Sequence, residues 1–361
     1  MKPLQRCPDC ESSPRTSPPK SSLILPADRR TFLGAAAATA AGLAVRGGLR
    51  AEDAATADPA QVPSENLVKK LYHSLSDTQK GKICFAWDHK DARGVLRTHV
   101  SNNWSITDTK MNVGGEFFTA DQRNMIEAIF FGLYDREWHD RLRKQLQDDA
   151  GGYGKQQTIA IFGSPDQGPF EFVMTGRHLT IRCDGNSAAH MAFGGPIFYG
   201  HAARGFNEAP DHPDNVYWHQ ALKANSLYTM FDGRQRNLAL IEKAPAEQSV
   251  GFKGQNGQFP GIPLTELSSD QKGQVKEVLK LLVAPYRESD RAAVTRCLDA
   301  QGGLDKCSLA FFKEDDIGND GVWDLWRLEG PSFVWHFRGS PHVHVWVNVG
   351  DDPSIPLNAD V

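Results

Sequence analysis

The most regular stretch of this chain is His342-Val343-His344-Val345-Trp346-Val347-Asn348-Val349. Side chains alternate between the two faces of a strand, so four valines line one face and His342, His344, Trp346 and Asn348 line the other. A valine face of this regularity has to be buried, which leaves the histidine face looking into solvent or a lined groove. Imidazoles at i and i+2 emerge on one side and can share a metal ion. The pair is incomplete without a further histidine or acidic ligand.

The same alternation recurs in Arg177-His178-Leu179-Thr180-Ile181-Arg182-Cys183, where His178, Thr180 and Arg182 oppose Leu179, Ile181 and Cys183. A third polar face carries His336 opposite Phe333, Trp335 and Phe337. If these strands are neighbours, one sheet face gathers His178, Arg182, His342 and His344 into a polar groove, with the apolar faces packed on helices. His201 follows the turn demanded by Gly195-Pro196 and is expected just past a short strand, at the rim where ligands often come from.

Further strands are expected at 158–162, 170–174, 197–199, 238–241, 308–312, 323–328 and 333–337, with the glycine-rich 251–261 as a surface loop. Three segments place a hydroxyl three residues before a glutamine: Ser76 and Gln79, Thr119 and Gln122, Ser268 and Gln271. These are capping boxes that start helices. The second leads into a helical spacing that runs from Met125 through Leu133 and Tyr134 to Leu146, with His139 on its solvent side. The third leads into Val275, Val278, Leu279 and Leu282. The likeness of 75–80 to 267–272 is read as shared capping rather than duplication, because no further self-similarity follows at a fixed period. Helices with clustered, antiparallel-looking strands give an α+β fold, in which amphipathic helices pack on mostly antiparallel strands.

Near the start, Asp28-Arg29-Arg30-Thr31-Phe32-Leu33-Gly34 leads into a short, mildly apolar, alanine-rich run, the pattern of a twin-arginine export signal. The uncharged run of 31–45 is shorter than the roughly 20 apolar residues a bilayer span needs. The expected organisation is a signal over 1–51, a connector over 52–63 and one elaborate α+β domain over 64–361, with two fused halves as the variant of that reading. The address is periplasmic or extracellular, and the export machinery is a partner. A net charge of −4 without a basic run after the signal argues against nucleic acid or anionic membrane and for a small-molecule ligand. In an oxidising compartment, Cys297 and Cys307, flanking a helix end and turn, are the expected disulfide.

No Gly-x-Ser-x-Gly elbow, His-Glu-x-x-His helix, phosphate-binding loop or dinucleotide fingerprint is present. The ordered motifs Ile161-Phe162-Gly163-Ser164-Pro165, Thr175-Gly176-Arg177-His178-Leu179-Thr180, Phe193-Gly194-Gly195-Pro196, Arg327-Leu328-Glu329-Gly330-Pro331-Ser332 and His342-Val343-His344 resemble the secreted bacterial and fungal family called domain of unknown function 3500. That family commonly has Gly-His-His-Leu where this chain has Arg177, and a Trp-Arg-Asp-Pro run where this chain has 348–353. The resemblance implies one shared site around His178, His342 and His344, and it supplies no reaction. The leading expectation is an exported enzyme in which His178, His342 and His344, with His201, hold one transition-metal ion (zinc, copper or iron). Arg182, Arg177 and Trp346 would bind a small polar or anionic substrate. The alternative is a metal-free extracytoplasmic protein that binds a small ligand or carbohydrate through Trp346 and Arg182.

Overall fold

The computed structural model describes residues 63–203 and 216–359, and within them one order of elements runs twice along the chain. The first pass is α1 (Ser64–Ser74), α2 (Asp77–Ile83), β1 (Cys84–Phe85), the short β2 (Lys90–Asp91), β3 (Gly94–Val95) and β4 (His99–Val100), then α3 (Ala120–Gly132), α4 (His139–Ala150), β5 (Thr158–Gly163), β6 (Phe170–Gly176), β7 (Leu179–Cys183) and β8 (Ile197–His201). The second is α5 (Trp218–Thr229), α6 (Gly233–Ala239), β9 (Leu240–Ile241), β10 (Ile262–Pro263), α7 (Ser269–Val283), α8 (Glu288–Ala300), β11 (Ser308–Phe312), β12 (Leu325–Gly330), β13 (Phe333–Arg338) and β14 (Val343–Val349). A final β15 (Asn358–Ala359) pairs with β4. The expected export signal over 1–51 lies outside the described residues, as does the connector apart from Pro63. Among the described residues no helix is long and apolar enough to cross a membrane.

All three capping boxes form, at the starts of α2, α3 and α7, and Asp232 with Gln235 makes a fourth at α6. The cap glutamines also join the helices in pairs. Gln79 and Gln122 exchange amide hydrogen bonds of 2.8 and 3.1 Å, and Gln235 and Gln271 do so at 3.0 and 2.8 Å. The counterpart of the Ser76 box is therefore Asp232, and that of Thr119 is Ser268. The resemblance of 75–80 to 267–272 joins elements that are not equivalent, while the element order itself does repeat.

The main sheet has the order β1-β5-β6-β7-β8-β14-β13-β12-β11-β10, with β9 beside β11; its long strands are antiparallel. Leu179 faces Tyr199 in the first half as Phe333 faces Val349 in the second. Ile197 is then the counterpart of Val347, and these two face each other across the central β8–β14 pair. A pseudo-two-fold axis passes between them. The valine face of β14 shares one buried apolar cluster with Trp335, Phe337 and the helices, including Ile126, Leu142, Val275 and Val294.

The opposite face gathers His344, Trp346, Asn348, Thr180, Arg182 and His336, as the alternation predicts, but it is not an open groove. Loops roof it. Trp104 donates to Thr180, Arg182 binds the Arg97 and His99 carbonyls, Asn348 donates to the Val250 carbonyl, and Arg327 donates to that of Ser249.

Three local expectations are corrected. The strand expected at 238–241 is half helix, since α6 runs to Ala239 and leaves only Leu240–Ile241 to β9. The run after Thr119 is two helices, because Leu133 ends α3 and Asp135 accepts the N–H of Glu137 to start a tight turn before α4. His139 accordingly packs on Phe131 and sits 2.9 Å from its carbonyl oxygen. Cys84, Cys183, Cys297 and Cys307 are all free thiols, so Cys297 and Cys307 form no disulfide. The Gln301 amide, 3.4 Å from the Cys307 sulfur, occupies the turn between them, and burial pushes the two thiols up to about 11 and about 12.

Candidate metal centre

Three imidazoles meet where the β6–β7 turn leans over the start of β14. His342 Nε2 is 3.0 Å from His344 Nε2, which is 3.2 Å from His178 Nε2. All three residues are buried, His342 retaining 7% exposure.

His178 is delivered by local backbone chemistry. Gly176 pairs with Leu179, which leaves Arg177 and His178 as a two-residue turn, and His178 takes a φ of 54°. A left-handed conformation at a residue with a Cβ costs roughly 1–2 kcal/mol. The turn is held against that cost by its own hydrogen bonds: the His178 N–H donates to the Asn102 carbonyl at 2.9 Å, and its carbonyl accepts from Gln145 at 3.2 Å. Gly200, opposite His344 on β8, makes the space. A Cβ there would clash with the Val343 carbonyl and touch the His178 ring at 3.4 Å.

Two carboxylates orient the rings. Asp149, in the last turn of α4 and fully buried, has Oδ1 3.0 Å from His178 Nδ1, and the same oxygen accepts the Ala202 N–H at 2.9 Å. Glu247, on the loop after β9, has Oε2 3.1 Å from His344 Nδ1, and its Oε1 lies 3.3 Å from Arg338 Nη1. With an acid at Nδ1, each ring carries its proton there and offers the Nε2 lone pair. Burial, which works the other way, is outweighed at Asp149 by His178, His201 and the Ala202 N–H, which hold its carboxyl below the usual range. Burial first, then Arg338 and His178, keep His344 far below the usual imidazole value; burial, His344, His178 and the two arginines do the same to His342. Neutral rings are the ligand form.

The donor set fits a metal ion. Lone pairs directed at one another across 3.2 Å repel unless a cation lies between them. Metal–nitrogen bonds of 2.0–2.1 Å at tetrahedral angles place neighbouring imidazole nitrogens about 3.3 Å apart, close to the spacing here. His178, His342 and His344 could therefore hold one ion.

The other sequence candidates stand elsewhere. His201 has the register of Val343 and points to the helix side of the sheet, where Nε2 is 3.0 Å from Asp148 and Nδ1 accepts the Val216 N–H at 3.3 Å. Arg182 is fully buried and committed to protein acceptors: Glu171 at 3.0 Å and the carbonyls of Pro196, Arg97 and His99. Trp346 packs with Phe198, Val250 and Val334 at 2% exposure. Arg177 shares the turn with His178 and is half-buried. Asp149, Glu247 and Arg338 were not singled out by sequence reasoning. For Arg338 the signal existed, since it continues the alternation of His336 on β13.

Fold and site together define an α+β protein with a buried three-histidine centre that could hold a metal ion. The chain belongs to the family described as "Protein of unknown function (DUF3500)", which it matches over residues 65–347. Comparison with curated proteins returns no match, and neither does comparison with solved structures.

Proposed function

We propose that this protein is an exported metal-dependent enzyme, with His178, His342 and His344 as ligands of one first-row transition ion and a small polar or anionic molecule as substrate. The observation that carries the reading is the convergence of three Nε2 atoms whose opposite nitrogens, on two rings, face the carboxylates Asp149 and Glu247. Carboxylate partners of this kind fix ring orientation and raise ligand basicity in histidine metal sites. Three imidazoles, with the His344 nitrogen 3.0 and 3.2 Å from the other two, favour zinc over an octahedral oxygen-loving ion.

The molecule also contains its own control. By count along the strands related by the pseudo-two-fold, His342 and His344 correspond to Ala192 and Gly194, and His178 corresponds to Ser332. Ser332 repeats the turn position of His178 without an imidazole, and the counted positions Ala192 and Gly194 lie in a tight turn ahead of β8 rather than on the strand, so the fold has no general need of a histidine at these places.

When bound, such an ion acts as a Lewis acid toward an oxygen of its substrate. The chain supplies the rest. Asp149 and Glu247 hold protons on Nδ1, Gly200 leaves room for the His178 ring, and the roofing loops limit water. The metal-free binding reading requires Trp346 and Arg182 at an accessible surface, and both are buried.

The enzymatic reading is tested by turnover of a panel of small esters, amides and phosphoesters by metal-loaded protein, with His342→Ala/His344→Ala as control. Activity equal in the two proteins contradicts it. Export is tested by replacing Arg29 and Arg30 with lysine; periplasmic accumulation that persists removes the twin-arginine route.

A further inference from the structure

The wall of the histidine centre carries guanidinium N–H groups that the chain leaves without acceptors. Arg338 stands opposite His344 in the β13–β14 register. Its Nη1 faces Glu247 at 3.3 Å, while its Nε and Nη2 are buried with no hydrogen-bond partner. Arg177, next to His178, likewise has a buried Nε with no acceptor. Both guanidiniums lie close enough to His342 and His344 to disfavour their protonated forms. A buried donor left unpaired is costly, more so when charged, so three at one site call for an occupant that accepts. A divalent ion and two guanidiniums against Asp149 and Glu247 leave an excess of two positive charges.

The pseudo-two-fold bears on this point as well. By count along the equivalent strands, Arg177 corresponds to Pro331 and Arg338 to Asp184. Neither arginine is demanded by the architecture, and both occur only beside the histidines. Arginine is the side chain suited to planar, multidentate recognition of carboxylate and phosphate. Exposure at the centre is confined to its margin: Arg177, Arg338 and Glu247 are half-buried and His342 retains 7%, whereas His178 and His344 retain none.

We propose that the centre is an oxyanion site: a carboxylate or phosphate group of a small molecule enters past Arg177 and His342, directs one oxygen to the ion, and offers its remaining lone pairs to Arg177 Nε and to Arg338 Nε and Nη2. This rests on the metal reading and adds the substrate class and the residues that select it.

The experiment is titration of cobalt-loaded protein with inorganic phosphate and, separately, with acetate, followed by the visible spectrum of the ion. The expected result is a saturable spectral change with at least one of them, the tighter anion identifying which group the natural substrate carries. Arg177→Gln leaves the three imidazoles and their two carboxylates in place; it should keep the cobalt stoichiometry and weaken the anion at least about tenfold, with partial recovery in Arg177→Lys. Protein that takes up no cobalt overturns the metal reading and this inference with it. Cobalt-loaded protein whose spectrum ignores both anions, or whose affinity is unchanged in Arg177→Gln, overturns this inference alone.

Discussion

Asp149 is the point at which the metal account can be graded rather than merely switched off. Its Oδ1 alone serves both partners, His178 Nδ1 at 3.0 Å and the Ala202 N–H at 2.9 Å, and Oδ2 is buried without one. An asparagine can place its carbonyl oxygen at the Oδ1 position and its amide at Oδ2, so Asp149→Asn keeps the orientation of His178 and removes only the charge. Asp149→Ala removes the acceptor as well, freeing the ring to carry its proton on Nε2, where the ion belongs. Loss of such an orienting partner weakens metal affinity by about 10–100-fold, or roughly 1.4–2.7 kcal/mol. The asparagine variant is expected near the lower figure and the alanine variant near the upper. Alanine also takes the acceptor from the half-buried Ala202 N–H, costing about 1 kcal/mol of metal-free stability. Zinc affinity is measured by competition with a chromophoric chelator, and metal-free stability by denaturant titration. Unchanged zinc affinity in Asp149→Ala would refute the assignment of Asp149 as the group that orients a ligand.

Three further outcomes follow from the same geometry. Gly200→Ala forces a methyl group against the Val343 carbonyl and the His178 ring, so it should lower stability by roughly 1–3 kcal/mol and weaken metal binding; unchanged behaviour in both assays contradicts the close approach. Arg182→Met leaves Glu171 buried with one partner fewer and strips the Pro196, Arg97 and His99 carbonyls of their donor, so it should cost about 3–5 kcal/mol while the surviving folded protein still binds metal. Burial, with help from Arg141, pulls His219 down to about 4. Its folded-state value is below its unfolded one, so the native state binds fewer protons. Stability is therefore full above pH 6.5 and falls as the pH drops toward 4, by about 3 kcal/mol from this ring when the whole shift is expressed. His219→Gln should flatten denaturation-derived stability against pH in that window, and an unaltered slope would remove His219 as the cause.

The features that local physics controls were legible in the sequence. Capping boxes depend on residues three apart, and the two faces of β14 depend on alternation, so the starts of α2, α3 and α7, most of the long strands and the pairing of His342 with His344 could be read directly. The third imidazole was legible as a residue but not as a conformation, since His178 belongs to a strand by pattern and sits in a left-handed turn. Asp149 and Glu247 lie far from the histidines along the chain, one at a helix end and one in a loop, and only the closed sheet brings them together. The repeat was hidden for a related reason. The Asp232 box carries an aspartate in place of a hydroxyl, so the eye matches Ser76 to Ser268, whereas the sheet register matches halves that share almost no local wording. The Cys297–Cys307 expectation failed because closeness in sequence does not fix the partner of a buried thiol, and Cys307 takes the Gln301 amide as its neighbour.

The central claim is that His178, His342 and His344 together hold one metal ion. Elemental analysis of protein purified without chelators after native export tests it most directly. The account predicts about one first-row transition ion per chain, with zinc favoured, and none in the His178→Ala/His342→Ala/His344→Ala variant. Folded wild-type protein with no stoichiometric metal, or a triple variant that retains it, would contradict the account.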